Sequence, residues 1–249
     1  MKKFVKASMI CAVCFTNTVS AGITISSMID FAENGVSEFT ITNDDPYRQF
    51  INVQVKELKI DEQGELIKIP YTRENIDIWS VSSMPARGIV EPEAKKAFRI
   101  KYEPLPNHDE NKDKIYQVSF IPTPYLGEGE KANNSVQMAV GFSPFVIVPS
   151  KTDQPLSYRV KHNGKSFTVH NSGQSYIKAT FKGCGDSLNS NEKDVCQTEA
   201  FILSGRQIDI SLPENMQRNL SVTLSTHYAK YKDELEIKVG EEAHSNAVK

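Results

Sequence analysis

With 249 residues and 39% hydrophobic content, the chain can bury one large or two medium cores. Its formal net charge is −2, from 29 Lys plus Arg against 31 Asp plus Glu, and no basic stripe interrupts that balance, which argues against a nucleic-acid partner. After the N-terminus, no run is long and apolar enough for a membrane helix, so no membrane insertion is expected.

The N-terminus reads Met1-Lys2-Lys3, an apolar run Ala7–Phe15, then Val19-Ser20-Ala21. A charged start, a short apolar run and an A-x-A-like site predict a cleaved bacterial export signal over 1–21 and a periplasmic product beginning at Gly22. A lipoprotein reading through Cys14 fits poorly with the residues before it. Of the four cysteines, Cys184 and Cys196 remain after cleavage. In an exported protein such a pair predicts one disulfide, closing the polar loop GDSLNSNEKDV, with a stabilisation of about 3 kcal/mol. A metal site would need further ligands, and the five histidines are scattered, so neither metal nor cofactor is expected.

In chain order, Gly22–Phe31 reads as a strand that shifts register near Ser26-Ser27. Asn34-Gly35 turns the chain into the strand Ser37–Asn43, and Asp44-Asp45-Pro46 turns it into Phe50–Ile60, which carries one slip. Ile67–Tyr71 and Ile76–Val81 read as short strands or extended loop. Lys95–Tyr102 and Ile115–Ile121 alternate as strands, separated by the polar loop Asn107–Lys114. Pro122–Asn134 reads as loop. The polar segment Pro149–Pro155 has no period and marks a boundary. Beyond it come short runs at Leu156–His162, Ser166–Asn171, Ile177–Gly183, Thr198–Leu203, Arg206–Leu212, Leu220–Thr226 and Glu234–Val239. No helical period persists over three turns. An all-β chain of two β-sandwiches is predicted, over 22–148 and 154–240, with a linker at 149–153 and a loose tail at 241–249.

The stretch Ser135–Val148 organises the first domain. Val136, Met138, Val140 and Phe142 alternate onto one face; Pro144 interrupts, and Phe145–Val148 runs apolar without a break. An edge strand offering alternating apolar side chains invites pairing with another chain. The plain alternative is an ordinary half-buried strand. Export, the loop before the strand, the proline and the boundary after it favour a binding edge. Catalysis finds no support. There is no G-x-S-x-G, and His108, His162, His170, His227 and His244 lack partners at informative spacing. Asp109, Glu110 and Asp113 read as a solvated face. Trp79 and the tyrosines could line a sugar site in a lectin but more commonly pack.

On the pieces ITISSMIDF, SEFTITNDD, MPARGIVEPEAKKAFRIKY, KIYQVSFI, VQMAVGFSPFVIVPS and FKGC-x11-C before FILSGRQIDI, the chain resembles the periplasmic chaperones of chaperone–usher pili, nearest the alternate, colonisation-factor-like branch. The resemblance implies two immunoglobulin-like domains set as a boomerang, no enzymatic activity, pilin subunits as partners and delivery to an outer-membrane usher. It implies a donated strand carrying Val136, Met138, Val140 and Phe142 into the open groove of a subunit. The loop before that strand would be mobile in the free protein and ordered by the subunit. The resemblance also matches Arg99 and Asp113 to a structural charge pair near the domain interface. Family members anchor the carboxylate terminus of the subunit with two cations, yet the matching positions fall near Ser27 and Pro144–Phe145, so no anchor is named. Self-capping of the free edge as a homodimer stays open. The competing reading is a pilus-associated adhesin or lectin-like subunit, which, unlike a chaperone, would not fold without a donor peptide.

Overall fold

The computed structural model describes residues 22–61, 63–106, 108–125, 140–183 and 196–245. Ten strands build the N-terminal part: β1 Ile23–Ile25, β2 Ile29–Phe31, β3 Val36–Asn43, β4 Arg48–Ile60, β5 Leu66–Pro70, β6 Val81–Met84, β7 Arg87–Val90, β8 Lys95–Tyr102, β9 Lys114–Tyr125 and β10 Phe145–Val148. They form one sheet in the order β1-β3-β8-β6 and a second in the order β2-β10-β9-β4-β5, with β7 also beside β4. Period-2 alternation explains the facing: Phe39 and Ile41 on β3 and Phe98 and Ile100 on β8 are buried, as are Val118 and Phe120 on β9. Phe120 meets the rings of Phe39 and Phe98 at 5.6 and 5.3 Å, so the core is an aromatic contact between two sheets.

The expected register shift in the first strand is a change of sheet. β1 pairs antiparallel with β3, whereas β2 pairs parallel with β10. Ser26 Oγ accepts the Thr40 N–H at 3.0 Å, and Ser27 Oγ accepts the Ile29 N–H at 3.2 Å. The two hydroxyls satisfy the backbone where the ladder is broken.

Two expectations of secondary structure are corrected, and one strand was not expected. Ile76–Val81 is no strand: Arg73–Ile78 forms a 3-10 turn, where Asn75 Oδ1 accepts both the Thr72 N–H and Trp79 Nε1–H. Local side-chain bonds there compete with the ladder. Arg87–Val90 is a strand because the edge of β4 supplies its partner. Of the expected loop Pro122–Asn134, Pro122–Tyr125 instead belong to β9, paired with β4, and the rest lies outside the described residues. Phe120 exchanges both backbone bonds with Phe142. Pro122 and Pro124 therefore turn their N–H-less nitrogens away from β4, where no ladder bond is lost.

The C-terminal part contains β11 Tyr158–His162, β12 Ser166–Asn171, β13 Ile177–Lys182, β14 Gln197–Ile202, β15 Gln207–Ser211, β16 Leu220–Ser225, β17 Lys232–Ile237 and β18 Glu242–His244. The sheets are β15-β12-β11-β18 and β14-β13-β16-β17, closed over a core in which Phe167 meets Phe181 at 5.0 Å. The loose tail expected from 241 is corrected: β18 pairs with β11, Ala243 opposite Val160 and packed against the core. Each part is thus a two-layer, immunoglobulin-like sandwich.

One bracing device occurs in both sandwiches. Asn43 ends β3 after FTIT, and Asn171 ends β12 after FTVH. Asn43 Nδ2 donates to the Tyr47 and Val90 carbonyls while its Oδ1 accepts the Asp45 N–H. Asn171 Nδ2 donates to the Ser175 and Ile202 carbonyls while its Oδ1 accepts the Gly173 N–H. Both side chains are fully buried. Each ties the turn after its strand to a strand across the sandwich.

The two sandwiches share an apolar junction of Leu58, Ile115, Ile147 and Tyr176, with Phe31, Phe145 and Phe201 packed against it. Arg206 Nη1 donates to the Gly64 carbonyl at 2.7 Å, a second point of contact.

Candidate functional site

The strand edge at 140–144 is built by four residues, Pro144, Phe142, Ser143 and Gly141. Pro144 carries no N–H, yet its carbonyl accepts the Val118 N–H at 2.9 Å, so the pairing of β10 with β9 continues toward the N-terminus. Phe142 then bridges Phe120, N–H to carbonyl in both directions, at 2.7 and 3.1 Å. Ser143 Oγ meets Ser119 Oγ at 2.9 Å in the same register. Gly141 allows the close approach: a Cβ there would sit 2.7 Å from the Phe120 carbonyl oxygen.

Because Phe142 spends its backbone groups on β9, Gly141 and Ser143 turn theirs outward. The strand that could cover them is β2, but β2 reaches β10 only from Phe145, whose N–H donates to the Met28 carbonyl at 3.0 Å. At Ser26–Ser27 the chain has already crossed to the other sheet. Among the described residues, the backbone groups of Gly141 and Ser143 have no partner. The change of sheet and the open edge are one fact seen twice.

Of the four residues expected on the binding face, Phe142 packs against the core of its own sandwich. Val140, on the same face, is 59% exposed. Val136 and Met138 lie outside the described residues. So does Cys184; Cys196 is disulfide-bonded and buried. The signal sequence expected at 1–21 also lies outside them.

The expected Arg99–Asp113 pair does not form. Arg99 is exposed and reaches Glu38 Oε2 at 3.3 Å, its cross-strand neighbour. Asp113, expected on a solvated face, accepts the Ser150 N–H at 2.8 Å and the Tyr176 N–H at 2.6 Å. Burial raises its carboxyl above the ordinary range, partly offset by those two bonds. The histidines serve structure: His162 is buried against the Arg218 carbonyl, and His227 Nδ1 meets the Tyr176 hydroxyl at 2.6 Å. Among the described residues no three His, Cys, Asp or Glu gather as metal ligands, and no helix is long and apolar enough to cross a membrane.

The protein is built of two immunoglobulin-like sandwiches, the first with a strand edge before its last strand that is unpaired among the described residues. The chain belongs to the family of the CS5 fimbrial protein N-terminal domain, which matches residues 25–149. It is similar to an uncharacterized 25.9 kDa protein of the CS5 3′ region of Escherichia coli, 25% identical over 158 residues covering 58% of this chain. That match spans 66% of the relative, just under two thirds of its length. Among solved structures, a chain of the Salmonella enterica SafA pilin–SafB chaperone complex matches with a TM-score of 0.51 at 11% identity, over 89% of this chain and 99% of that one. The class 5 fimbriae chaperone CfaA matches with a TM-score of 0.48 at 14% identity, over 91% and 100%. The Salmonella likeness extends the two-sandwich fold over nearly the whole described chain.

Proposed function

We propose that the chain is a periplasmic, non-enzymatic chaperone of fimbrial subunits that lends the strand running into β10 to an incomplete subunit and hands the complex to an outer-membrane usher. One observation carries the reading: the outward backbone groups of Gly141 and Ser143 are unpartnered among the described residues, beside an exposed Val140. An extended segment of a partner can add to that edge through backbone hydrogen bonds. Val136, Met138 and Val140 are then the donated side chains, and Phe142 is the seat that fixes their register. Burial of each donated side chain is worth about 1.5–3 kcal/mol before ordering costs. The fimbrial family membership and the pilin–chaperone likeness support the subunit as partner.

The test is periplasmic co-expression with the secreted proteins encoded beside the chain, followed by pull-down and mass spectrometry. A stoichiometric small partner, lost with Val140→Asp or Met138→Asp while the chaperone stays folded, is the expected result. Retention of that partner by both variants would sink the donor-strand assignment, and the absence of any partner would sink the chaperone reading.

A further inference from the structure

Gly22, the first residue after the expected signal, lies directly against a carboxylate. A Cβ at Gly22 would sit 2.4 Å from Asp45 Oδ2, so glycine is what lets the chain approach this closely. The Asp44 N–H donates to the Gly22 carbonyl at 3.2 Å and holds the two segments together, while the Gly22 N–H has no partner among the described residues. Asp45 is fixed by its own N–H, which donates to Asn43 Oδ1 at 3.1 Å. It is half-buried and has no ion-pair partner among the described residues; Arg48, three residues on, reaches Glu91 at 2.8 Å. Gln49 Nε2 donates to Asp45 Oδ2 at 2.7 Å, which fixes the orientation of that amide and leaves Gln49 Oε1 buried with no partner among the described residues. A carboxylate without a cation and an acceptor without a donor thus meet beside one backbone nitrogen.

We propose that the α-ammonium freed at Gly22 by signal removal docks on Asp45 and completes the first sandwich. Hydrolysis of the Ala21–Gly22 bond by water leaves a carboxylate on Ala21, and the Gly22 nitrogen leaves with the electrons of the broken C–N bond and takes up two protons. A neutral amide with one N–H becomes a cation with three, charged at neutral pH because an α-amino group ordinarily titrates at about 7.7–8.0. The nitrogen is one bond from the Cα that lies over Asp45, and once the chain ends there, rotation about that residue brings it to Oδ2. One N–H meets the carboxylate, and the others are available to Gln49 Oε1. The precursor cannot make this contact, so the chain gains its last stabilising pair only after processing. The inference rests on the export part of the proposed function and goes beyond it, since it assigns the new terminus a partner.

The test has two arms. In the first, the intact mass of the periplasmic protein gives its first residue, expected to be Gly22. In the second, the mature chain is released in vitro either at Gly22 or with Ala21 retained, each with and without Asp45→Asn, and all four are melted. The Gly22 start should melt about 2 °C above the Ala21 start, and Asp45→Asn should abolish that difference. Equal melting of the two starts with Asp45 in place, a comparison that needs no substitution, overturns the proposal, as does a difference that survives Asp45→Asn. A periplasmic chain with another first residue overturns it as well. A chain that keeps Met1 and stays in the cytoplasm overturns the export reading, and with it the processing step, whereas the melts report on the Asp45 contact alone.

Discussion

The backbone N–H of Tyr176 donates to Asp113 Oδ2 at 2.6 Å, from one sandwich to the other. The same carboxylate receives the Ser150 N–H through Oδ1, and Phe31 lies 5.1 Å from the Tyr176 ring. Asp113 therefore holds the end of the first sandwich and the start of the second on one group. Asn at 113 would set an amide N–H against a backbone N–H, and we expect it to cost about 1–3 kcal/mol in urea unfolding.

The pH dependence of that cost follows from the raised carboxyl. Burial makes the folded Asp113 hold its proton to higher pH than the unfolded one. Its contribution is fully present below the unfolded value and is lost as pH rises through the folded one. The stability gap between wild type and Asp113→Asn should narrow as pH rises from the ordinary carboxylate range, about pH 4, through the raised folded value, read from unfolding midpoints. A gap that widens would show the opposite shift.

Val140 and Phe142 share a face but not a role. Val140→Asp, at a side chain 59% exposed, should leave the melting temperature within about 1 °C, as surface changes usually do. Phe142→Ala removes a half-buried ring from the core and should cost about 2 kcal/mol. Thermal melts of the two variants, run beside subunit capture, separate binding from seating.

Gly141→Ala tests whether the open edge depends on close approach. The added methyl meets the Phe120 carbonyl at 2.7 Å and must push the strand off β9. We expect a loss of about 1–3 kcal/mol and faster hydrogen exchange at the Phe120 and Phe142 amides, which pair only with each other. Unchanged exchange at both would mean that the neighbouring strand absorbs the methyl.

The paired asparagines predict matched losses. Asn43→Ala strands the buried Val90 carbonyl and the part-buried Tyr47 carbonyl, and Asn171→Ala the buried carbonyls of Ser175 and Ile202. Each should cost about 2–4 kcal/mol in chemical unfolding. Asp at either site keeps the acceptor but not the donors, and should rescue neither.

Strand positions were legible wherever burial alternates within a single segment. Ser37–Asn43 and Lys95–Tyr102 fall on β3 and β8, because Phe39, Ile41, Phe98 and Ile100 mark their buried face by themselves. The shift at Ser26-Ser27 was legible for the same reason, whereas its link to the uncovered edge at Gly141 and Ser143 required the pairing of β2 with β10. The FTITN and FTVHN repeats were also present in the sequence as a signal of the Asn braces, although spacing alone did not say what they bind. What was not legible belongs to contacts between distant segments. Arg87–Val90 and Glu242–His244 are strands only because β4 and β11 offer edges to them, and neither segment alternates long enough to declare itself. Asp113 reads as a solvated charge until Tyr176 and Ser150 close over it. The alternation that marks a strand is a property of neighbours in sequence, so the chain alone determined strands such as Ser37–Asn43 and Lys95–Tyr102. Which edges are paired and which carboxylate is buried depend on segments brought together from far apart, and only the tertiary structure decided those.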